Sequence, residues 1–306
     1  MHEMERRRFM KAGLTLGAAG VVGTRGLGRI LAAGSATPDI VAVKGSDAFA
    51  STLKALQALG GIQRFVGKGV KVGLLINAPA HWRLEGSHTR MEVPLAVAKL
   101  CLDAGAKEIL TLPILAPKFW SEGPLAEKYA SVIKAIKPCS DKTVETKIPR
   151  GVRLKSGQVR TELLEAEVLI NIPVAKHHVG TNFSGNLKNM MGGLARETNR
   201  TFHAGASGYD DLELLCQSIA DLNTLRKQSL CVVDATVVLA TGGPAGPGDL
   251  LKPQKVVVGT DPVAVDAYCA GLHGRKPKEM PMLTKAVAAG VGRLDIEKLV
   301  VKEIEG

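Results

Sequence analysis

The chain has 306 residues and a formal net charge of +11, with 45% hydrophobic and only 4% aromatic residues. A chain of that size buries a sizeable core, and one large α/β domain is the expectation. Lys and Arg are scattered without a run of five and aromatic rings are too sparse for base stacking, so no nucleic-acid partner is expected and a mildly basic face that attracts anionic ligands is.

Near the start, Arg6-Arg7-Arg8-Phe9-Met10-Lys11 precedes an uncharged stretch, residues 12–22, that is too short to cross a bilayer. The layout is that of a signal peptide, and the arginine motif resembles a twin-arginine export signal. Cleavage is expected after Ala36, leaving residues 37–306 as a single α/β domain. Residues 1–36 hold six basic side chains and two acidic ones, so removing them takes away four charges and leaves +7. A periplasmic or extracellular location follows, with the twin-arginine export machinery as a partner and no stable membrane span after cleavage.

Residues 40–43 read as a strand, and Asp47 opens a helix through Leu53, Leu56 and Leu59 that Gly60-Gly61 stops. Residues 70–76 form a second strand. A polar loop with His81, Glu85 and His88 follows, then a helix through Val93, Val97, Leu100 and Cys101, then a strand at 109–112. Strand, helix, strand in that order is a βαβ unit, which makes the strands parallel. A helix is expected over 125–136, a strand over 143–148, a hairpin or surface excursion over 151–160 and one helical turn over 162–165. The apolar run 168–172 reads as a buried strand. Downstream come an apolar helix (210–225), a strand (230–233) closed by Asp234, a tight Gly/Pro loop (242–248), a strand (256–258), a helix opened by Asp261-Pro262 and a last helix over 281–289. The expected fold class is α/β, a mostly parallel sheet flanked by helices in a Rossmann-like three-layer arrangement.

Cys101, Cys139, Cys216, Cys231 and Cys269 lie far apart with no Cys-x-x-Cys, so neither an iron–sulfur cluster nor a thiolate zinc site is expected. Four of them sit in apolar elements as small hydrophobes, and Cys139, in a loop, is expected to be the exposed one.

The richest stretch follows the strand at 168–172. Lys176, His177 and His178 come immediately after Pro173, then Asn186, Lys188 and Asn189. In open α/β sheets the carboxyl ends of strands are where ligands bind. Lys176 and Lys188 suit neutralisation of a carboxylate or phosphate, His178 suits proton transfer or metal ligation, and Asn189 supplies hydrogen bonds. His203, in a Gly-rich loop, would share a divalent metal with His178 if the fold returns it there. Asp261 fits a helix N-cap, whereas Asp221, Asp234 and Asp266 are either buried acceptors or pocket carboxylates. Asn186, Asp234, Asp261 and Asp266 are the expected cofactor-binding groups.

Taken together, Pro173-Val-Ala-Lys-His-His, Gly185-Asn-Leu-Lys-Asn-Met-Met-Gly, the isolated His203, Asp221-Leu-Asn, Val233-Asp234, Gly243-Pro-Ala-Gly-Pro-Gly and Asp261-Pro-Val-Ala-Val-Asp resemble the domain of unknown function 362 family. The family's Lys-x-His element falls on Lys176 and His178, its Lys-Asn element on Lys188 and Asn189, and its Asp-Pro-x-Ala-x-Asp element on Asp261 and Asp266. Many relatives carry a ferredoxin-like module with clustered cysteines, and no such cluster is in this sequence. Two functions are expected: an enzyme acting on a small anionic metabolite, with or without a metal, or a non-catalytic ligand- or metal-binding maturation protein serving a redox partner.

Overall fold

Alternate residues of each interior strand enter different cores, and that alternation puts helices on both faces of one sheet. A computed structural model describes residues 37–79, 84–113, 115, 116, 118–203 and 211–306. The export motif and His81 lie outside the described residues. In chain order the strands are β1 (Ile40–Lys44), β2 (Lys71–Ile76), β3 (Glu108–Leu112), β4 (Ile136–Pro138), β5 (Thr143–Lys147), β6 (Ser156–Arg160), β7 (Val168–Ile172), β8 (Leu230–Ala235), β9 (Val238–Leu239), β10 (Leu250–Leu251), β11 (Lys255–Gly259) and β12 (Val301–Glu305). The α-helices are α1 (Ala48–Ala58), α2 (Glu92–Asp103), α3 (Ala130–Ala135), α4 (Thr161–Glu165), α5 (Asn186–Asn189), α6 (Arg196–Phe202), α7 (Leu212–Asn223), α8 (Pro262–Leu272) and α9 (Pro281–Ala288).

Eight strands form the main sheet in the order β12-β1-β11-β8-β7-β2-β3-β4. β11 pairs antiparallel with β1 and β8, and the other neighbours pair parallel, so the sheet is mostly parallel as expected. Val41, Leu74, Ile170, Val232 and Val256 pack with Leu56 of α1 and Val93 and Val97 of α2. Their strand neighbours Ile40, Leu75, Leu169, Val233 and Val257 pack with Leu215 and Ile219 of α7, Val263 of α8 and Leu283 of α9. The three layers are thus written in period-2 alternation. β7 and β8 are buried along their whole length, which is why they read as unbroken apolar runs.

After β2 the chain passes through α2 to β3 on one side, whereas after β7 it passes through α5 and α7 to β8 on the other. The adjacent carboxyl ends of β2 and β7 therefore flank a point where the strand order reverses, the standard place for a ligand crevice.

Three expectations change. The helix foreseen at 125–136 shrinks to α3, because Ile136 adopts an extended backbone and pairs with Ile109, a tertiary pairing that overrides helical preference. β12, half-exposed and alternating with charges, joins β1 as an edge strand that the pattern did not announce. Cys139 is buried at 6% exposure, its N–H donating to Thr111 O at 3.1 Å, and all five cysteines are buried free thiols.

α8 begins as its sequence requires. Asp261 Oδ1 accepts from Val263 N and Ala264 N, both at 3.0 Å, with Pro262 at the first helical position. The same carboxylate's Oδ2 accepts Arg293 N at 2.9 Å. A side chain at Gly292 would put Cβ 2.1 Å from Asp261 Oδ1, so only bare backbone lets that loop approach. Asp261→Ala should cost about 1–2 kcal/mol in urea unfolding, with Asp261→Asn retaining most of the stability; an Ala variant as stable as the parent would contradict this capping role.

Candidate functional site

Past β7, Ala175 N donates to Asp234 O at 2.9 Å, extending the pairing with β8, and Lys176 then bridges Ser184 through N–H to O bonds of 3.1 and 2.8 Å. The loop between them turns back on itself, and Lys176, His178 and Ser184 line the crevice. Lys176 is 1% exposed, and its Nζ donates to the carbonyls of Ser87 and Pro244. Burial, then the charge of Lys188, lowers the Lys176 pKa from 10.5 to about 6.

His178 is also buried, and burial followed by the charges of Lys188, His203 and Lys176 lowers its pKa to about 2. The imidazole is therefore neutral across the working pH range. Its Nδ1 accepts Gly180 N–H at 3.0 Å, so the remaining ring proton must sit on Nε2. That tautomer makes Nε2 a hydrogen-bond donor, which departs from the expected role of base or metal ligand.

α5 is held from beneath. Asp266, fully buried in α8, accepts Asn186 N at 2.7 Å and Asn186 Nδ2 at 2.8 Å on Oδ1, and Leu187 N at 2.9 Å on Oδ2. A Cβ at Gly185 would lie 2.3 Å from Asp266 Oδ1, so glycine is required for that approach. Burial raises the Asp266 pKa to about 7 against the pull of these donors.

A chain of buried carboxamides locks the same helix from the side. Asn223 Nδ2 donates to the carbonyls of Leu187 and Ile219, so its Oδ1 faces Gln228 Nε2 at 2.8 Å. Gln228 Oε1 then takes Asn171 Nδ2 at 2.8 Å, Asn171 Oδ1 takes Asn189 Nδ2 at 2.7 Å, and Asn189 Oδ1 takes Asn77 Nδ2 at 3.2 Å. Carbonyl oxygens can only accept, and Leu75 O and Asn186 O also hold Asn189 and Asn171, so every amide in the series has its orientation dictated. The last acceptor, Asn77 Oδ1, is buried with no partner, as is Asn199 Oδ1.

Lys176, His178, Lys188, Asn189 and His203 line one cavity of about 350 Å³ at the carboxyl ends of β2 and β7, together with Asn77. His203 arrives as the C-cap of α6. The remaining expected groups lie elsewhere. Asn186 gives its Nδ2 to Asp266 and accepts from Asn171 on its backbone carbonyl, its own Oδ1 being buried without a partner, and both Asn189 amide hydrogens are spent inside the protein. Asp234 accepts Arg90 N, Thr236 N and Thr236 Oγ1 at 2.8, 3.0 and 2.6 Å, and burial raises its pKa. Asp221 accepts Arg153 N, Leu154 N and Gln217 Nε2. Asp261 caps α8 and lines a different cavity. None of these four carboxylates lines the cavity of Lys176; each holds backbone in place. Sequence reasoning missed Asn77, Asn171, Asn223 and Gln228. Asn171 alone had a signal, since an amide inside the apolar run of β7 must find partners.

Among the described residues the donor set does not fit a divalent metal. Among the described residues no three His, Cys, Asp or Glu side chains are grouped to hold an ion, and His178 has its Nδ1 occupied and its Nε2 protonated.

A sequence-family profile described as "Domain of unknown function (DUF362)" matches residues 70–271. No curated protein matches the sequence. Among solved structures, the lactate racemase apoprotein from Thermoanaerobacterium thermosaccharolyticum is similar at 10% identity and a TM-score of 0.41, over 72% of this chain and 54% of its own. A protein from Thermotoga maritima is similar at 12% identity and a TM-score of 0.44, over 76% of this chain and 60% of its own. The chain thus spans less than two thirds of the length of either structure.

The buried lysine has a thermodynamic signature. Between pH 10.5 and about 6 the unfolded chain carries a proton on Lys176 that the folded chain lacks, so this group's effect on stability worsens as pH falls through that window and is constant below it. Lys176→Met should gain stability relative to the parent progressively from pH 10.5 down to 6, read as the difference between two urea-unfolding curves. A difference independent of pH would mean that Lys176 is protonated in the folded protein throughout.

Proposed function

The chain belongs to the Domain of unknown function (DUF362) family, and we propose from its cavity that it is an enzyme acting on a small anionic metabolite. One observation carries the reading: two lysines and two histidines, from separate segments, line a single cavity of about 350 Å³. That volume lies near the lower end of the roughly 300–1,000 Å³ typical of small-molecule sites. A carboxylate or phosphate on the ligand suits a cavity that presents lysine and imidazole N–H donors.

The chemistry assigned to the site is proton transfer. Lys176, with a pKa of about 6, is largely neutral at pH 7 and accepts or returns a proton close to working pH. His178 stays neutral and offers Nε2–H to an oxygen that gains negative charge, an electrostatic role rather than a basic one. Lys188 holds the anionic end. Asn189 positions the helix that carries Lys188, and Asn77 and Asn199 add unpaired acceptors in the cavity wall.

The reading includes export. The motif from Arg6 to Lys11 supports passage through the twin-arginine machinery and work in the periplasm or outside the cell. Among the described residues no helix is long and apolar enough to cross a membrane.

Calorimetric titration with a panel of small carboxylates and phosphates should find a ligand whose affinity falls about ten- to a hundredfold in Lys188→Ala, the loss expected for one partly desolvated charged hydrogen bond. The unfolding midpoint of that variant should stay near the parent's. Turnover of the ligand should rise with pH through about 6 and vanish in Lys176→Met. Binding without turnover of any ligand would favour the non-catalytic alternative, and equal affinity in parent and Lys188→Ala would remove this cavity as the site.

A further inference from the structure

A second cavity, of about 450 Å³, lies at the opposite end of the strands and collects Arg150, Arg226, Lys227 and Arg293. Gln228 leads into β8, and Arg226 reaches the carbonyls of Ala166 and Glu167 just before β7, which places this cavity at the amino ends of both strands. The four cations come from three separate segments: the stretch after β5, the α7–β8 connection and the loop beyond α9. Gathering like charges around a concave surface costs free energy unless something of opposite sign offsets it.

The protein supplies little of that offset. Arg293 pairs with Asp39 at 3.1 Å and, more loosely, with Asp261 at 3.8 Å. Asp261, the carboxylate among the described lining residues, already accepts three backbone N–H groups. It also caps α8, so the helix terminus has no spare role here. Arg226 spends its NH2 group on two carbonyls, and its Nε is buried without a partner. Arg150 and Lys227 make no hydrogen bond or ion pair among the described residues. The polar floor, Asn223 and Gln228, is occupied within the carboxamide chain and offers no counter-charge.

We infer that Arg150, Arg226, Lys227 and Arg293 form a second ligand site, distinct from the Lys176 cavity, for a multiply charged oxyanion such as the phosphate or diphosphate group of a soluble metabolite. Guanidinium forks match the geometry of phosphate oxygens, and several of them around one cavity favour a ligand of two or more negative charges over a monocarboxylate. Arg226, pinned by backbone carbonyls, gives the site one fixed wall. Arg150 and Lys227, exposed and without partners, close on the ligand from the rim.

The probe is inorganic pyrophosphate, titrated calorimetrically into the full chain carrying Lys188→Ala, so that the first cavity is already weakened and its fate does not decide the outcome. One saturable site should remain, and its affinity should fall with added salt. Adding Arg150→Gln and Lys227→Gln should weaken it by about tenfold or more while the unfolding midpoint holds, since neither side chain bonds to the rest of the protein. Two results would overturn the inference: no saturable uptake of pyrophosphate in the Lys188→Ala chain, or an affinity that the double rim substitution changes by less than about twofold.

Discussion

The cavity exists in its present form because a series of buried carboxamides can be arranged in only one way. Asn223 is anchored by two backbone carbonyls, and each following amide must present its nitrogen to the oxygen before it, through Gln228, Asn171 and Asn189 to Asn77. Buried amides without partners are costly, so the series is stable only as a whole. Through it the end of α7, the middle of β7, the first turn of α5 and the end of β2 are held in one register. Asp266 adds an independent hold on α5 from the opposite side, with three donors on one carboxylate. A helix as short as α5 has little stability of its own, and it keeps its place by these tertiary bonds. Lys188 rides on that helix.

A rigid frame explains how the charged groups tolerate one another. Lys176 and His178 are removed from water beside a second lysine, and both respond by giving up their protons, one at about 6 and the other at about 2. The charge of Lys188 lies close to both, so the cavity has a neutral amine and a neutral imidazole with a defined proton beside a lysine on α5. Burial is the larger cause of both shifts, and the charge of Lys188 adds to it. It is also the combination that acid–base chemistry on an anion needs, with one group to hold and others to exchange or share a proton.

Much of the architecture was legible in the sequence because strands buried on both faces leave long apolar runs and βαβ units have a characteristic order. The position of the cavity was legible too, since polar residues directly after a buried strand stand where open α/β sheets bind ligands. Less legible were the short or edge elements. α3 gave way to β4 because pairing with β3 outweighed helical preference, and β12 carries too little apolar signal to be distinguished from a charged tail. Asp221, Asp234, Asp261 and Asp266 were ambiguous for a different reason. A carboxylate that collects backbone N–H groups and one that faces a ligand look alike until the donors are placed, and all four turned out to collect N–H groups. The direction of the amide series was invisible, because it depends on contacts between residues as far apart as Asn77 and Asn189.

The central claim is that Lys176 is held neutral within the cavity at pH 7 by burial and by Lys188. Its ammonium can be followed directly by nitrogen-15 NMR of lysine-labelled protein across a pH titration, with Lys176→Met identifying the resonance. The account predicts a midpoint near 6 that moves upward in Lys188→Ala, because removing the neighbouring charge relieves one of the effects that lower it. A midpoint near the ordinary 10.5, unmoved by Lys188→Ala, would contradict it.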